Sequence, residues 1–391
     1  MTKRQKALAS FSLFIVTLSA CTPATMPPTL DPDAAMTQAF ATVYAASTQT
    51  AAALPTPTAT PTPTATAVRT PPALPGLYQS HSLNPKDTPH AYIQDACQYL
   101  KLKWDANNSP PGTIVMIIMV HSITKGEAIQ STAINARDFR RMMDDLKEMG
   151  FEAINTEQLA DFLEHNAKIP SRSVVLIQDD RKNAENFNEH FRPYWNKYHW
   201  PVVNAWISLP ETTESLWQEN AALAAEGWVD HQAHGVLLHN TNITEASSDE
   251  DILGELQGSI TAIQQHFHKT PIAFIWPGGG FTARAAQLAR QVVGYRLGFT
   301  INPRGPLMFN WIPLSDEFDP TRPSYIPEGV VGDLLMVLPR YWSTDARAHI
   351  DEVRIMGEQA ASYAGQNKAT ELEYYDILCA PTYGPLPSVA P

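Results

Sequence analysis

Clustered positive charge is missing from this sequence. Its 28 Lys and Arg are outnumbered by 40 Asp and Glu, for a formal net charge of -12, and no basic cluster offers the cations a phosphate backbone requires. A nucleic-acid partner is therefore excluded. Cysteine is scarce too, at three residues, so at most one disulfide can form and a fold stapled by many bridges is ruled out. The apolar stretch near the N-terminus, Ala7 to Leu18, is shorter than the ~20 residues of a membrane-spanning helix. No internal repeat is present, and low complexity is confined to one segment.

That apolar stretch follows Lys3, Arg4 and Lys6 and closes on Leu18-Ser19-Ala20-Cys21. Charge, apolar core and small residues in this order make a secretory signal. A Cys directly after Leu-Ser-Ala resembles the lipobox of bacterial lipoproteins, which implies that residues 1–20 are removed and that Cys21 carries the lipid. An ordinary cleaved signal with a Cys nearby is the alternative. From 21 to 76 the composition turns to Thr, Pro and Ala, with Pro at almost every second position from Leu54 onward. Such a segment cannot pack a core, so a disordered, extended tether is expected there, with room for a short helix at 34–53. With Cys21 assigned to lipid, Cys97 and Cys379 remain. In an oxidising compartment they are predicted to pair, fastening the N-terminal approach to the C-terminal tail; two buried free thiols are the alternative.

Beyond residue 77 the chain is long enough for one large domain. Strand and helix patterns alternate. Strands are expected at 115–120, 152–155, 173–178, 202–207, 229–231, 272–276, 296–300 and 334–338. Helices are expected at 138–149, 156–166, 184–197, 213–226, 249–268, 283–293 and 345–359. The fold class is α/β, and about seven strand-helix units suit a distorted (β/α) barrel better than an open doubly wound sheet.

Chemistry in parallel sheets collects at the carboxyl ends of strands. Three polar clusters fall there: Asp179-Asp180; His231, His234 and His239; and Trp276-Pro277-Gly278-Gly279-Gly280. Adjacent carboxylates at a strand end point in different directions, so one is free to bind a metal while the other takes a proton. An Asp with two His is a sound set for a catalytic zinc that keeps one position open for water. The alternatives are a helix N-cap pair for the two Asp and satisfied structural roles for the His.

In combination these blocks resemble the polysaccharide deacetylases, carbohydrate esterase family 4 or the NodB homology domain. Ile117-Ile-Met-Val-His121 resembles the early Leu-Met-Tyr-His strand and Val174-Val-Leu-Ile-Gln-Asp-Asp180 the Thr-Phe-Asp-Asp motif. His234-Gly-Val-Leu-Leu-His239 is similar to the longer-spaced second motif, Ile275-Trp-Pro-Gly-Gly-Gly-Phe281 to the Tyr-Pro-x-Gly block, and Val337-Leu-Pro-Arg340 to a late Leu-Pro-Arg element. The resemblance implies a deacetylase-like domain at 113–361, preceded by an approach segment at 77–112 and followed by a tail at 362–391.

Carried over residue by residue, it implies that Asp180, His234 and His239 bind a divalent metal, with zinc expected, and that Asp179 is the catalytic base. Arg340 orients Asp179 or, alternatively, makes a surface ion pair. Trp276 and Gly278 line the substrate, with Trp228 and Trp342 as further stacking candidates. Gln178 stands where the family has Phe, Arg181 where it has Gly, and Gly235 where it has Ser or Thr; a long Arg181 would crowd the site or lower the pKa of Asp179. The late His that is the general acid in many relatives is not placed, and His349 is expected to face solvent. His231 is expected to be structural. The implied function is removal of N-acetyl groups from amino sugars of an extracellular polysaccharide or peptidoglycan, by a monomer held outside the cytoplasm on the cell membrane by its lipid. The alternative is a catalytically degenerate relative that binds glycan without turnover.

Overall fold

The structure is a computed structural model, and it describes residues 36–37, 40–43, 69–237, 243–320 and 326–386. The signal segment, Cys21, most of the tether and His239 lie outside the described residues. The chain divides into two compact units, Met1–Val68 and Arg69–Pro391. In the first, the described residues are helical. The second begins earlier than the expected boundary at 77, because residues 69–76 pack on it: Arg69 pairs with Asp376 at 2.5 Å, and Tyr363 donates its hydroxyl to the Gly76 carbonyl at 2.8 Å.

The strands of this second unit are, in chain order, β1 (Asp87–His90), β2 (Ile114–Val120), β3 (Ser122–Thr124), β4 (Ala133–Asn135), β5 (Glu152–Ala153), β6 (Arg172–Gln178), β7 (Val202–Trp206), β8 (Val229–Ala233), β9 (Ala273–Ile275), β10 (Leu297–Phe299), β11 (Leu307–Met308), β12 (Ile312–Ser315) and β13 (Tyr341–Trp342). The main sheet runs β10-β9-β8-β7-β6-β2-β11, with β5 added on β6 and β13 on β2. Every pairing in it is parallel except that of β11 with β2. β2 is buried along its whole length and β6 from its second residue on, as expected of parallel strands covered on both faces.

Alternation along these strands divides the core. Val115, Ile117, Val175 and Ile177 join one apolar cluster, while Ile114, Met116, Ile118, Val174 and Leu176 join another. The second cluster takes Phe139, Met142, Met143 and Leu146 from one face of α1 (Ala136–Glu148). Each such buried side chain contributes roughly 1.5–3 kcal/mol.

The edges of the curled sheet are joined by one segment. Leu338 exchanges backbone hydrogen bonds with β10, receiving from Thr300 and donating to Gly298, and three residues later Tyr341–Trp342 pairs with β2. Arg340 lies on this seam, so the architecture is the distorted barrel of strand-helix units that the pattern suggested.

Further helices are α2 (Thr156–His165), α3 (Ala184–His190), α4 (Arg192–Tyr198), α5 (Glu214–Ala225), α6 (Asp249–Phe267), α7 (Ala283–Gln287) and α8 (Ala346–Tyr374). Three expectations need correction. The helix anticipated over 184–197 is two helices that meet at Phe191, with Pro193 in the first turn of the second. The strand anticipated over 334–338 is a 3-10 turn at Leu334–Met336, and strand-like pairing with β10 is limited to a single bridge at Leu338. Residues 362–391 do not start as a tail, because α8 continues to Tyr374, burying Ala364 and Glu371. A helix over Ala96–Trp104 lies in the approach segment, capped by the Asp95 carboxylate. Its Cys97 forms a disulfide with Cys379, with Cα atoms 5.2 Å apart, so the two ends of the unit are tied together.

Candidate functional site

Register decides what meets at the carboxyl ends of the strands. Val120 pairs with Gln178, so His121 and Asp179 emerge side by side from β2 and β6. The Asp179 amide donates to the Val120 carbonyl at 2.8 Å, and the His234 amide to that of Trp206 at 3.0 Å, bringing His234 to the same end. Thr300 and Arg340 arrive from β10 and the seam.

Asp179 is 1 % exposed. Its Oδ1 accepts from Arg340 Nη1 at 2.6 Å, and Arg340, itself fully buried, also donates through Nε to the Thr300 carbonyl at 2.6 Å. The other oxygen, Oδ2, stands 3.5 Å from His121 Nδ1 and has no hydrogen-bond partner. Burial opposes the charge on Asp179, but the neighbouring Arg340 guanidinium outweighs it and holds the carboxyl below the usual range. Asp179 is thus an ionised, oriented carboxylate with one unused acceptor atom.

Asp180 turns away. Its φ of 65° lies in the left-handed region, its side chain is 40 % exposed, and Oδ1 stands 3.9 Å from His234 Nε2. His234 Nδ1 is 2.7 Å from the Ile275 carbonyl, which only accepts, so Nδ1 carries the proton and Nε2 presents its lone pair toward Asp180. Burial lowers the pKa of this imidazole and keeps it neutral, as a metal ligand must be. Two donors each about 2.1 Å from one ion lie at most about 4.2 Å apart, so Asp180 and His234 fit a shared divalent metal. Among the described residues no group of three or more His, Cys, Asp or Glu forms a metal cluster; the third expected ligand, His239, lies outside them.

The departures from the family pattern have local causes. Buried Gln178 donates to the Val120 and His121 carbonyls at 2.8 and 3.1 Å, which locks the ends of β2 and β6 together. Arg181 neither crowds the site nor acts on Asp179, because its guanidinium is drawn to the Thr212 hydroxyl; the cation near Asp180 is Lys182, at 3.8 Å. Gly235 has φ 85°, and a Cβ there would stand 2.8 Å from Glu255 Oε2, so Ser or Thr would collide. The N-cap alternative for the two Asp also falls, since Asn183 caps α3.

Trp276 does not line a substrate surface. It is fully buried between Phe274 and Phe281, and its indole N–H donates to the Met336 carbonyl at 2.7 Å. Gly278 is exposed in the turn after β9, with φ 59°. Trp228 is buried at the far end of β8, stacked on Trp195. Of the aromatic candidates, Trp342 remains, half-buried with its ring 5.5 Å from that of His121. His231 is sealed between Trp206 and Phe267, and burial depresses its pKa to about 3, which makes it structural. His349 pairs along its own helix with Asp345 and Glu352. The residue that sequence reasoning left without a role is His121; the signal was its place directly after a strand that neighbours β6. A cavity of about 320 Å³ opens at the opposite end of the strands, between Tyr78, Tyr99, Phe309, Trp311 and Tyr363, and none of the site residues lines it.

Comparison with known proteins gives one family. The model described as polysaccharide deacetylase matches residues 166–297, a span that holds Asp179, Asp180 and His234. Over this stretch the chain is similar to hydrolases of carbon–nitrogen bonds. No curated protein matches the chain. Among solved structures, a Streptococcus pyogenes deacetylase in complex with acetate is 18 % identical with a TM-score of 0.47, over 62 % of this chain and 98 % of that one. IcaB from Ammonifex degensii is 15 % identical with a TM-score of 0.46, over 63 % and 97 %. A de-N-acetylase from Aggregatibacter actinomycetemcomitans is 18 % identical with a TM-score of 0.45, over 59 % and 94 %.

Proposed function

We propose that the Arg69–Pro391 unit is a metal-dependent hydrolase that removes acetyl groups from amino sugars of an extracellular polysaccharide or peptidoglycan. The observation that carries this reading is the state of Asp179: buried, held ionised by Arg340, with Oδ2 unused beside the Asp180 and His234 donors. Asp180, His234 and His239 are the residues that would hold the metal. Bound there, zinc or a similar divalent ion supplies Lewis acidity and acidifies water. Asp179 Oδ2 takes the proton of the water whose oxygen adds to the acetamide carbonyl. When the carbon–nitrogen bond breaks, acetate leaves and the amine needs a proton. His121, 3.5 Å from Asp179 and partly exposed, is the group placed to give it. Trp342 offers a ring face for a sugar at the mouth of the site.

Export and lipid anchoring at Cys21 belong to the same reading, with the Thr, Pro and Ala-rich segment spacing the domain from the membrane. Incorporation of labelled palmitate, lost in Cys21→Ser, tests the anchor. Acetate release from chitooligosaccharides, stimulated by added zinc and abolished by chelation, tests the activity. Glycan binding with no acetate release would instead support the degenerate relative.

A further inference from the structure

We propose that Glu255 is the positioning residue of the segment Gly235–Leu237, which lies in sequence between the expected ligands His234 and His239. Glu255 lies inside α6 and is 3 % exposed. Its two carboxylate oxygens each accept one of two successive backbone N–H groups: Oε2 from Val236 at 2.5 Å and Oε1 from Leu237 at 2.8 Å. Successive amides converging on one anion form a compact, charge-assisted grip.

The sequence is adapted to this grip on both sides. Gly235 takes a φ of 85° and leaves bare the space that Glu255 Oε2 fills. One turn further along α6, Gly258 leaves room for Val236, whose Cγ2 would lie 3.0 Å from a Cβ at that position. The Leu237 side chain, by contrast, is 65 % exposed, so apolar packing of Leu237 does not anchor the segment. His234 is fixed separately through its bond to the Ile275 carbonyl. Glu255 therefore sets the course of the chain through Leu237, two residues before the expected ligand His239. This inference rests on the reading of His234 and His239 as metal ligands.

The test uses the full chain with Glu255→Gln, which keeps the shape but sets an amide N–H₂ against one of the two backbone donors. In zinc-free protein, hydrogen exchange at the Val236 and Leu237 amides is expected to accelerate about tenfold or more, while amides in the middle of α6 keep their protection. The zinc dissociation constant, from competition with a chromophoric chelator, is expected to rise about 10- to 100-fold, as for residues that orient metal ligands. Unchanged exchange at these two amides overturns the proposal, and so does faster exchange with unchanged zinc affinity. A wild-type protein that takes up no zinc would sink the ligand reading and the metal half of this inference, while the exchange result still decides whether Glu255 holds the loop. Should Glu255→Gln lose α6, Gly235→Ala displaces the same carboxylate from an intact helix. It must then reproduce both changes, and its failure to do so overturns the proposal.

Discussion

Replacing Arg340 by Met removes a buried cation and leaves Asp179 charged with no counter-ion. Arg340 has no accessible surface and bonds both Asp179 and the Thr300 carbonyl, so it ties the end of β6 to the end of β10 as well as neutralising the carboxylate. Unit charges about 4 Å apart attract by roughly 4 kcal/mol at an effective dielectric constant of 20. Breaking a buried pair from one side costs about 3–5 kcal/mol. At roughly 2–4 °C per kcal/mol, melting should fall by on the order of 10 °C. Urea unfolding with chelator present keeps metal linkage out of the measurement. The variant Asp179→Asn removes the other charge, and the double variant leaves neither. Its loss should be smaller than the sum of the single losses by about 2–3 kcal/mol. Losses that add to within about 0.5 kcal/mol would refute the ion pair as the organising contact of the site.

Asp179→Asn alone should keep metal and lose turnover by at least about 100-fold, because it removes a proton acceptor and not a ligand; stoichiometric zinc with near-normal acetate release would contradict the role. Reduction of the Cys97–Cys379 bond opens a closure of 282 residues, which the chain-entropy account values at up to about 5.6 kcal/mol. An unfolding midpoint that stays put when dithiothreitol is added would show that the bond does not contribute. Trp342→Ala should raise KM for an oligosaccharide about 2- to 10-fold with little change in kcat, as loss of one stacking face predicts; an unchanged KM would remove Trp342 from the substrate surface.

Legibility in the sequence followed the length and burial of each element. β2 is a seven-residue apolar run, β6 is built on the four-residue run Val174 to Ile177 with polar residues on either side, and the limits of both could be read to within a residue. The two- to four-residue strands β1, β3, β4, β11, β12 and β13 could not, because pairing with distant partners defines them and no local pattern marks them. Leu334 to Leu338 is apolar enough for a strand, yet its turn forms because Trp276 reaches across to bond the Met336 carbonyl. The last turns of α8 were missed for the opposite reason. Beyond residue 359 its buried positions thin to Ala360, Ala364 and Glu371, too sparse to show as an apolar stripe.

The site divides along the same line. Asp179, Asp180 and His234 stand immediately after strands, and alternation alone requires the two Asp to face apart, as they do. Trp276 follows a strand too, but whether a residue there faces a cleft or the core depends on what packs over it, and here a buried carbonyl takes its only donor. The case of Arg340 shows why position along the chain is the wrong coordinate. It is 161 residues from Asp179, in a stretch with almost no regular structure, and nothing nearby in sequence calls for a cation. What calls for it is the seam. Leu338 must reach β10 and Tyr341 must reach β2, which carries the residue between Pro339 and Tyr341 across the mouth of the barrel above Asp179. A buried carboxylate at that point requires a counter-ion, and a guanidinium can bond the carboxylate and a strand-end carbonyl at once. Closing the barrel and charging Asp179 are therefore one structural event, and a chain that failed to close would lose both.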